Sequence, residues 1–340
     1  MPARLDPSLY DPRRWPALVD HVFARSWLCL GLAPPPGRMA PVTLLPGVLD
    51  EALLMVTGVD GVTRVRSNVC THRAAVLCVA AGPAEPLRCP YHGRRFDLDG
   101  RVVAAPGFET PPDEPLPSLP VRRVGPLVFT TLGEPGGWPG DEGSLADRLR
   151  PFDLDGLRHD PSGDLTYDVA AHPLLSVENY LEGMHIPFVH PALNRALDGR
   201  AYLTEAVEGG VLQVGFAAEA DSAFTVPVGH PDHGRAVAAW YLAVFPATLL
   251  NFYPWGLSVN LVDAVDAGHA RIRYFRLVNR PELLGRGAGA GLDVVEAEDD
   301  TIVERVQAGI RSRLYRGGAL SERWETGVAG FQAWVHARIR

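Results

Sequence analysis

The sequence contains no lysine, since all 32 of its basic residues are arginine. Enzymes that form a Schiff base with a carbonyl substrate use a lysine amine, so that chemistry is excluded. No run of about 18 apolar residues is present, and such a run is what a membrane-spanning helix needs. A formal net charge of −8 is also opposite to the basic surface that binds nucleic acid. We therefore expect neither a membrane nor a nucleic acid as a partner.

Cysteine is also scarce, with four residues in a chain of 340. Four cysteines, two of them beside histidines, leave no disulfide framework, and this is typical of a reducing compartment. We therefore expect a cytoplasmic protein. The chain is long enough for two domains of ordinary size.

Two short clusters combine Cys with His. Cys70-Thr-His72 and Cys89-Pro-Tyr-His92 are separated by 16 residues. Two thiolates and two imidazoles are the ligand set of a [2Fe–2S] cluster in which two His replace two Cys on one iron. The alternative is a structural Cys2His2 zinc site, but zinc fingers pair like ligands, C-x2-4-C with H-x3-5-H. The mixed pairing therefore favours an iron–sulfur cluster.

A second candidate metal site has the pattern E-x2-H-x4-H. Glu182 and His185 would share one face of an ideal helix, whereas His185 and His190 would not. Pro187 lies between the two histidines, and a proline bends a helix, which would bring them together. Two His and one carboxylate with open positions form the facial triad of non-haem Fe(II) oxygenases. The alternative is two unrelated helix histidines, which the preceding Cys/His clusters disfavour.

The stretches around these motifs resemble the α subunits of Rieske ring-hydroxylating oxygenases. Asn68–Arg73 and Arg88–Gly93 resemble the Rieske domain, and the resemblance continues through Asn251–Asn260 to the C-terminal helices. It implies an α+β protein with an N-terminal all-β Rieske domain and a C-terminal α+β helix-grip catalytic domain with an antiparallel sheet. We predict an N-terminal helical segment at 1–37, the Rieske domain at 38–135 and a mononuclear iron domain at 136–340.

The resemblance implies that Cys70, His72, Cys89 and His92 hold the cluster and that His185 and His190 bind the mononuclear iron. The third iron ligand should be an acid at the head of a later helix. The run Glu298-Asp299-Asp300 fits this, and the family pattern selects Asp299, with Asp300 as the second choice. Acids at a helix start are also ordinary caps, which leaves either one open.

Catalytic roles follow from the same resemblance for Glu182 and Asn179. Glu182 would carry electrons from His92 of a neighbouring subunit in a head-to-tail homotrimer, and some family members form hexamers with β subunits. No G-x-G-x-x-G fingerprint follows a strand, so the electrons should come from a separate ferredoxin or flavin reductase.

The implied function is oxygen insertion from O2 into a small organic substrate, by mono- or dioxygenation or by oxidative N-demethylation. Glu182 stands where aromatic dioxygenases usually have Asp, and His172-Pro-Leu174 stands where the family often has Asn-Trp-Lys. Both departures favour the branch that acts on carnitine, choline and betaines. Two alternatives are an aromatic ring-hydroxylating dioxygenase α subunit and a Rieske electron-transfer protein without oxygenase activity.

Seven aromatic residues could cage a cation, although aromatics on strands are more often ordinary core. They are Trp240, Tyr241, Phe245, Phe252, Tyr253, Trp255 and Tyr274. Hydrophobic spacing predicts helices at 16–30 and near 174–187, 299–315 and 322–338, and strands such as 62–65, 127–131, 211–216, 238–245 and 270–278. A Gly- and Pro-rich linker is predicted at 134–141.

Overall fold

A computed structural model of the chain describes residues 3–134, 136–139, 143–150, 152–199, 201–219 and 223–339. The chain forms two compact units, Leu28–Pro135 and a second unit made of Met1–Trp27 with Gly136–Arg340. The sequence predicted three parts with ends at 37 and 135. The structure differs at the first boundary, because residues before 28 belong to the second unit while 28–32 form a strand of the first.

The first unit consists of strands in three antiparallel sheets, with the orders β1-β11-β10, β5-β2-β3-β4-β9 and β6-β7-β8. Its core includes Leu54, Val56 and Phe96, which pack against the two cluster cysteines. The strands are β1 Leu28–Leu32, β2 Arg38–Leu44, β3 Glu51–Thr57, β4 Thr63–Ser67, β5 Gly82–Pro83, β6 Leu87–Arg88, β7 Arg95–Phe96, β8 Val102–Ala104, β9 Ser118–Leu119, β10 Arg122–Val124 and β11 Leu127–Thr130.

The second unit is built on one seven-stranded antiparallel sheet with the order β12-β18-β17-β16-β15-β14-β13. Strands β14 to β17 are almost entirely buried, which agrees with their continuous apolar sequence. The strands are β12 Arg158–Val169, β13 Leu203–Val207, β14 Gly210–Phe216, β15 Val237–Val244, β16 Thr248–Tyr253, β17 Gly256–Asp266 and β18 His269–Val278.

The helices of the described residues all belong to the second unit, and α3 packs against α6, α7 and β17. None of the described helices is long and apolar enough to cross a membrane. The α-helices are α1 Trp15–Leu18, α2 Gly143–Leu149, α3 Pro173–Tyr180, α4 Ile186–Val189, α5 Pro191–Ala196, α6 Leu292–Ile310 and α7 Thr326–Arg338. A π-helical turn continues α1 at Val19–Phe23, and short 3-10 turns lie at Pro7–Tyr10, Pro12–Arg14, Pro281–Leu283 and Gly287–Gly289.

The predicted α+β class, with an all-β first unit and an antiparallel sheet in the second unit, is confirmed. Three predicted helices were wrong in extent. The helix predicted at 16–30 ends at Phe23, and the one at 174–187 breaks after Tyr180. The helix predicted at 299–315 begins at Leu292, after Gly291 adopts a left-handed φ of 60°. Within the predicted linker, residues 135, 140 and 141 lie outside the described residues.

A buried acid, Glu178, joins three distant segments of the second unit. Its carboxylate accepts hydrogen bonds from the Tyr10 hydroxyl and, at 2.8 Å, from Gln332 Nε2. Gln332 Nε2 also donates to the Tyr10 hydroxyl oxygen at 3.0 Å. The 3-10 turn of Tyr10, α3 and α7 are therefore held at one point. Burial raises the pKa of Glu178 to about 7, although both hydrogen bonds act to lower it.

This gives a stability prediction for Glu178→Gln. The pKa of Glu178 is about 7 in the folded chain against an ordinary value of 4.5, so the folded state is penalised only as pH rises through this range. Between pH 4.5 and 7 the wild type should lose about 3 kcal/mol of unfolding free energy relative to the variant. Denaturant melts at several pH values measure this, with the exposed Glu322→Gln as control. A difference that does not change with pH would contradict the prediction.

Candidate metal centres and the active-site cavity

The two Cys/His motifs of the first unit form two loops with the same backbone pattern. Cys70 N donates to Ala75 O at 2.9 Å, and Cys89 N donates to Arg94 O at 2.8 Å. Four residues after each cysteine the backbone is left-handed, with φ of 56° at Ala74 and 74° at Gly93. Each loop thus turns sharply enough to present its Cys and its His from one end.

The four predicted donors come together at the ends of these loops. The two cysteines lie in side-chain contact and are buried, whereas His72 and His92 are exposed with ring centroids 4.8 Å apart. Backbone N–H groups point at both sulfurs. Burial opposes them, but at Cys89 the N–H groups of His92 and Tyr91 lower the thiol pKa. Two adjacent thiols with amide donors, beside two imidazoles, fit a [2Fe–2S] cluster.

The buried side chain of Arg94 links the two loops by hydrogen bonds. Its side chain is 3% exposed, and Nη1 donates to Thr71 Oγ1 at 3.1 Å and to Glu114 Oε2 at 2.6 Å. Thr71 Oγ1 in turn donates to the backbone oxygen of Glu114 at 2.8 Å. One guanidinium therefore fixes the spacing between the two ligand-bearing loops.

In the second unit the two candidate iron histidines lie on a broken helix. The chain leaves α3 at Tyr180 and starts α4 at Ile186, with His185 as the residue before α4 and His190 as the residue after it. Pro187 stands in the first turn of α4, where proline is tolerated, so it begins a helix and does not bend one as predicted. The break brings the two imidazole rings to 5.1 Å between centroids.

The third member of the site is Asp299, seven residues inside α6. One nitrogen of each imidazole and one Asp299 oxygen lie within 4.8 Å of one another. Asp299 Oδ1 is 3.0 Å from His190 Nε2 and 3.6 Å from His185 Nε2. The helix-start position predicted for this acid was wrong, because α6 begins earlier. Two nitrogens and one oxygen converging on one point fit a mononuclear iron.

Each imidazole is held from behind by a further acid. His185 Nδ1 donates to Glu182 Oε1 at 2.6 Å, and His190 Nδ1 donates to Glu298 Oε2 at 2.8 Å. Such contacts fix the ring orientation, so that both Nε2 atoms face Asp299. Sequence reasoning placed Glu182 beside His185 but gave Glu298 no role. The only signal was that Glu298 directly precedes Asp299.

Asn179 and Asp300 also contact this region in different ways. Asn179 Nδ2 donates to Asp299 Oδ1 at 2.6 Å, so the amide fixes the carboxylate that both imidazoles approach. Asp300 does not join the two histidines, and its buried Oδ2 has no hydrogen-bond partner. Burial, followed by repulsion from Asp299, raises the pKa of Asp300 to about 7. The geometry therefore favours Asp299 over Asp300 as a ligand.

A cavity of about 70 Å³ opens beside this triad, and we refer to it as the active-site cavity. Strand alternation places Tyr241 of β15 and Asn251 of β16 side by side on the sheet face that lines it. Its other polar and aromatic wall residues are Tyr180, Tyr202, Tyr253, Asn260 and Glu296.

The predicted aromatic cage is divided by the structure. Only Tyr241 and Tyr253 of the seven predicted aromatics line the active-site cavity. Trp255 and Tyr274 line a neighbouring cavity of about 360 Å³. The other three pack elsewhere as ordinary core: Trp240 against Phe224, Phe252 against Phe152, and Phe245 against Phe331 and Trp334. Tyr180 and Tyr202 were missed because their contribution depends on tertiary packing.

Comparison with protein families agrees with both centres. Residues 37–120 match the family described as the Rieske [2Fe-2S] domain, and residues 175–340 match the ring hydroxylating alpha subunit (catalytic domain). The chain belongs to the Rieske non-haem iron oxygenases. It is therefore an oxidoreductase that carries a [2Fe–2S] cluster and a mononuclear iron. As an oxygenase of this family it uses O2, an organic substrate and a reductase.

Similar proteins include oxygenases of two named substrates. The chloroplastic choline monooxygenase of Amaranthus tricolor is 26% identical, with 98% of this chain and 76% of that protein covered. The carnitine monooxygenase oxygenase subunit of Escherichia coli K12 is 27% identical, with 88% and 81% covered.

Two solved structures share the fold. That of the quaternary ammonium Rieske monooxygenase CntA in complex with an inhibitor has a TM-score of 0.74 at 23% identity, covering 100% of this chain and 96% of that chain. That of naphthalene 1,2-dioxygenase with bound indole has the same TM-score at 18% identity, covering 99% and 92%. The predicted function as an oxygenase is confirmed, and the alternative of a Rieske electron-transfer protein without oxygenase activity is not supported.

The iron ligands can be tested by metal counting. Asp299→Ala should lower the iron content from three to about two per chain, because one of three donors is lost, and should leave the visible spectrum of the cluster unchanged. Asp300→Ala is the matched control and should retain the third iron. Iron analysis and absorbance on purified protein measure both. If Asp300→Ala loses the iron and Asp299→Ala keeps it, the ligand is the neighbouring residue.

Proposed function

We propose that this oxygenase oxidises a small quaternary ammonium compound. The observation that supports the proposal is a tyrosine-lined cavity beside the candidate iron triad. Tyr241 lies edge-to-face with Tyr180 at 6.3 Å and with Tyr253 at 6.0 Å between ring centroids. Tyrosine rings that line one cavity can offer their negative faces to a cation, which is how aromatic cages hold quaternary ammonium groups.

The polar part of the same wall argues against an arene. Asn251, Asn260 and Glu296 lie among the tyrosines. An apolar ring would offer no polar atom to this wall, including the buried Tyr241 hydroxyl that has no partner, at a cost in free energy. The similarity to choline and carnitine monooxygenases points in the same direction. Whether the reaction is monooxygenation, dioxygenation or N-demethylation depends on the substrate atom that lies nearest to the iron.

We assign the metal-binding roles by donor chemistry. Cys70 and Cys89 would hold one iron of the cluster and His72 and His92 the other, because the two thiols are buried together and the two imidazoles are exposed together at the ends of the loops. His185, His190 and Asp299 would hold the mononuclear iron. When bound, these centres supply single electrons and activate O2 beside the substrate.

Glu182 and Asn179 act on the side chains of the triad. Glu182 accepts from His185 Nδ1 and from the backbone N–H groups of Met184 and His185, so its carboxylate is held in one position. We infer that it also accepts a hydrogen bond from His92 of a neighbouring subunit and so links the two centres. Asn179 keeps the Asp299 carboxylate aligned with both imidazoles.

A homotrimer with head-to-tail contacts would supply that neighbour. Apolar side chains surround both partners of the proposed contact. Phe188 is 84% exposed and Met184 43% exposed near Glu182, while Tyr91 and Phe108 are about half exposed near the two cluster histidines. Exposed apolar side chains of this kind mark protein interfaces. The electrons would enter from a separate ferredoxin or flavin reductase.

We also propose a cytoplasmic location. The four cysteines form no disulfide, and two of them are needed as thiolates. A reducing compartment preserves such thiols. The chloroplast location in the names of the plant relatives is a property of those proteins.

Substrate screening tests the proposed function. Oxygen uptake with a surrogate reductase should respond to choline, carnitine or a betaine and should not respond to naphthalene or toluene, because the cavity wall is tyrosine, amide and carboxylate. Product analysis by mass spectrometry separates coupled oxidation from uncoupled consumption of O2. Turnover of an arene, with no product from any ammonium compound, would overturn the proposal.

Glu182→Gln tests the link between the centres. The variant should keep three irons and bind substrate, yet oxidation of its reduced cluster in a single turnover should slow by about 10- to 100-fold. Glu298→Gln is the matched control, because Glu298 holds the other imidazole in the same way. If both variants slow equally, Glu182 acts only by orienting its histidine. Unchanged cluster oxidation in Glu182→Gln would remove the residue from the path.

A further inference from the structure

Glu296 is a carboxylate in the wall of the active-site cavity that neither metal centre uses. It lies on α6 one turn before Asp299. Asn260 Nδ2 donates to its two oxygens at 3.2 and 3.4 Å, and the Tyr274 side chain lies nearby. No arginine among the described residues forms an ion pair with it.

The groups around Glu296 are oriented for a negative charge. Asn251 Nδ2 donates to Asn260 Oδ1 at 3.2 Å, which turns the Asn260 amide so that its NH2 group faces Glu296. Hydrogen-bond donors favour an ionised carboxylate. The described side chains around Glu296 are therefore arranged for an anion, and no arginine among them is paired with it.

An unpaired carboxylate in such a place is costly. Glu296 lines the active-site cavity, and none of the described arginines forms an ion pair with it. A cation entering the cavity would supply the missing partner, because an opposite charge within a few ångströms favours the ionised form. The tyrosine rings that line the same cavity favour the same ligand charge.

We propose that Glu296 is the counter-ion of the substrate's ammonium group and that the substrate carries no carboxylate. This inference rests on the proposed function, the oxidation of a quaternary ammonium compound. It narrows that class to quaternary ammonium alcohols and their uncharged-tail analogues.

The exclusion of a carboxylate follows from the cationic side chains available. The chain has no lysine, so arginine is the side chain that could pair with one as a permanent positive charge. No arginine among the described residues lines the active-site cavity. The neighbouring cavity, which shares Leu292 and Glu296 with it, contains Arg276, but Arg276 already binds Asp160 at 2.7 Å and Ser162 at 2.9 Å. Asp293 adds a second acid to that wall, so a carboxylate tail would meet repulsion.

A hydroxyl group on the substrate could form a hydrogen bond with Tyr241. Tyr241 is 7% exposed, and its hydroxyl lines the active-site cavity without a hydrogen-bond partner. Tyr253 lies beside it, but the two side chains lack hydrogen-bond geometry. A buried hydroxyl of this kind gains from a polar ligand group. An alcohol on the substrate would meet that need.

Three ligands of similar size distinguish the effect of the ammonium charge on binding from the effect of a carboxylate. Choline is the ammonium alcohol, 3,3-dimethylbutan-1-ol is its neutral isostere, and glycine betaine replaces the alcohol arm with a carboxylate. Titration calorimetry on the iron-loaded protein, without O2 or reductase, measures binding and not turnover. Choline should bind at least about tenfold more tightly than either of the others.

Glu296→Gln identifies the residue responsible. This variant should lose at least about tenfold in choline affinity and should no longer distinguish choline from its neutral isostere. Glu296→Asp, which keeps the charge, should retain part of the preference. Asp293→Asn is the matched control, since it removes one charge from the same helix a turn earlier. Iron content and the cluster spectrum verify that each variant is folded.

The outcomes are distinguishable from failure of the proposed function. If glycine betaine binds to the wild type as tightly as choline, or if Glu296→Gln keeps the preference for choline over its isostere, this inference is overturned while ammonium oxidation stands. If neither choline nor glycine betaine binds and an arene does, both this inference and the proposed function are overturned.

Discussion

The candidate iron site depends on one carboxylate that lies close to two imidazoles. Asp299 lies more than 100 positions after His185 and His190 in the sequence, yet its Oδ1 atom lies close to both rings and accepts from Asn179. This requires α6 to pack against α3. The Glu178 network fixes α3 from the other side, against α7 and the N-terminal turn. The metal site is therefore as rigid as the helix packing behind it.

The imidazoles of the two candidate metal centres differ in their exposure to solvent. At the cluster, the thiols are buried and the imidazoles lie at the surface, so sulfur is shielded from water while the electron path stays open. At the mononuclear site the imidazole of His190 is 1% exposed, and access is through a small cavity. Partial burial strengthens electrostatic contacts, so the charge of the cavity wall should influence the choice of ligand.

The accuracy of sequence reasoning depended on how local each feature is. The cluster ligands lie within two loops of a few residues, and Glu182 lies three residues from His185, so spacing was sufficient to group them. The role of Glu298 and the presence of Tyr202 in the cavity depend on where α6 and a loop fold back, which no periodicity encodes. Asp299 was selected by family pattern, yet its helix begins seven residues earlier because Gly291 supplies the left-handed start. The predicted cage mixed both faces of the sheet, since alternation tells which residues share a face but not which face meets the cavity.

The first unit is inserted between two pieces of the second. Trp27 Nε1 donates to Gly136 O at 3.1 Å, and Trp27 packs edge-to-face on Trp138, so the chain leaves and returns at the same point. During synthesis residues 28–135 can form their sheets before α7 has been made. The first 27 residues cannot complete their contacts until then, because Gln332 of α7 lies 322 positions after Tyr10. The inserted unit can therefore fold before the N-terminal segment that precedes it in the chain. For protein engineering, the junction is a natural place to exchange one electron-carrying module for another, because its two ends already meet.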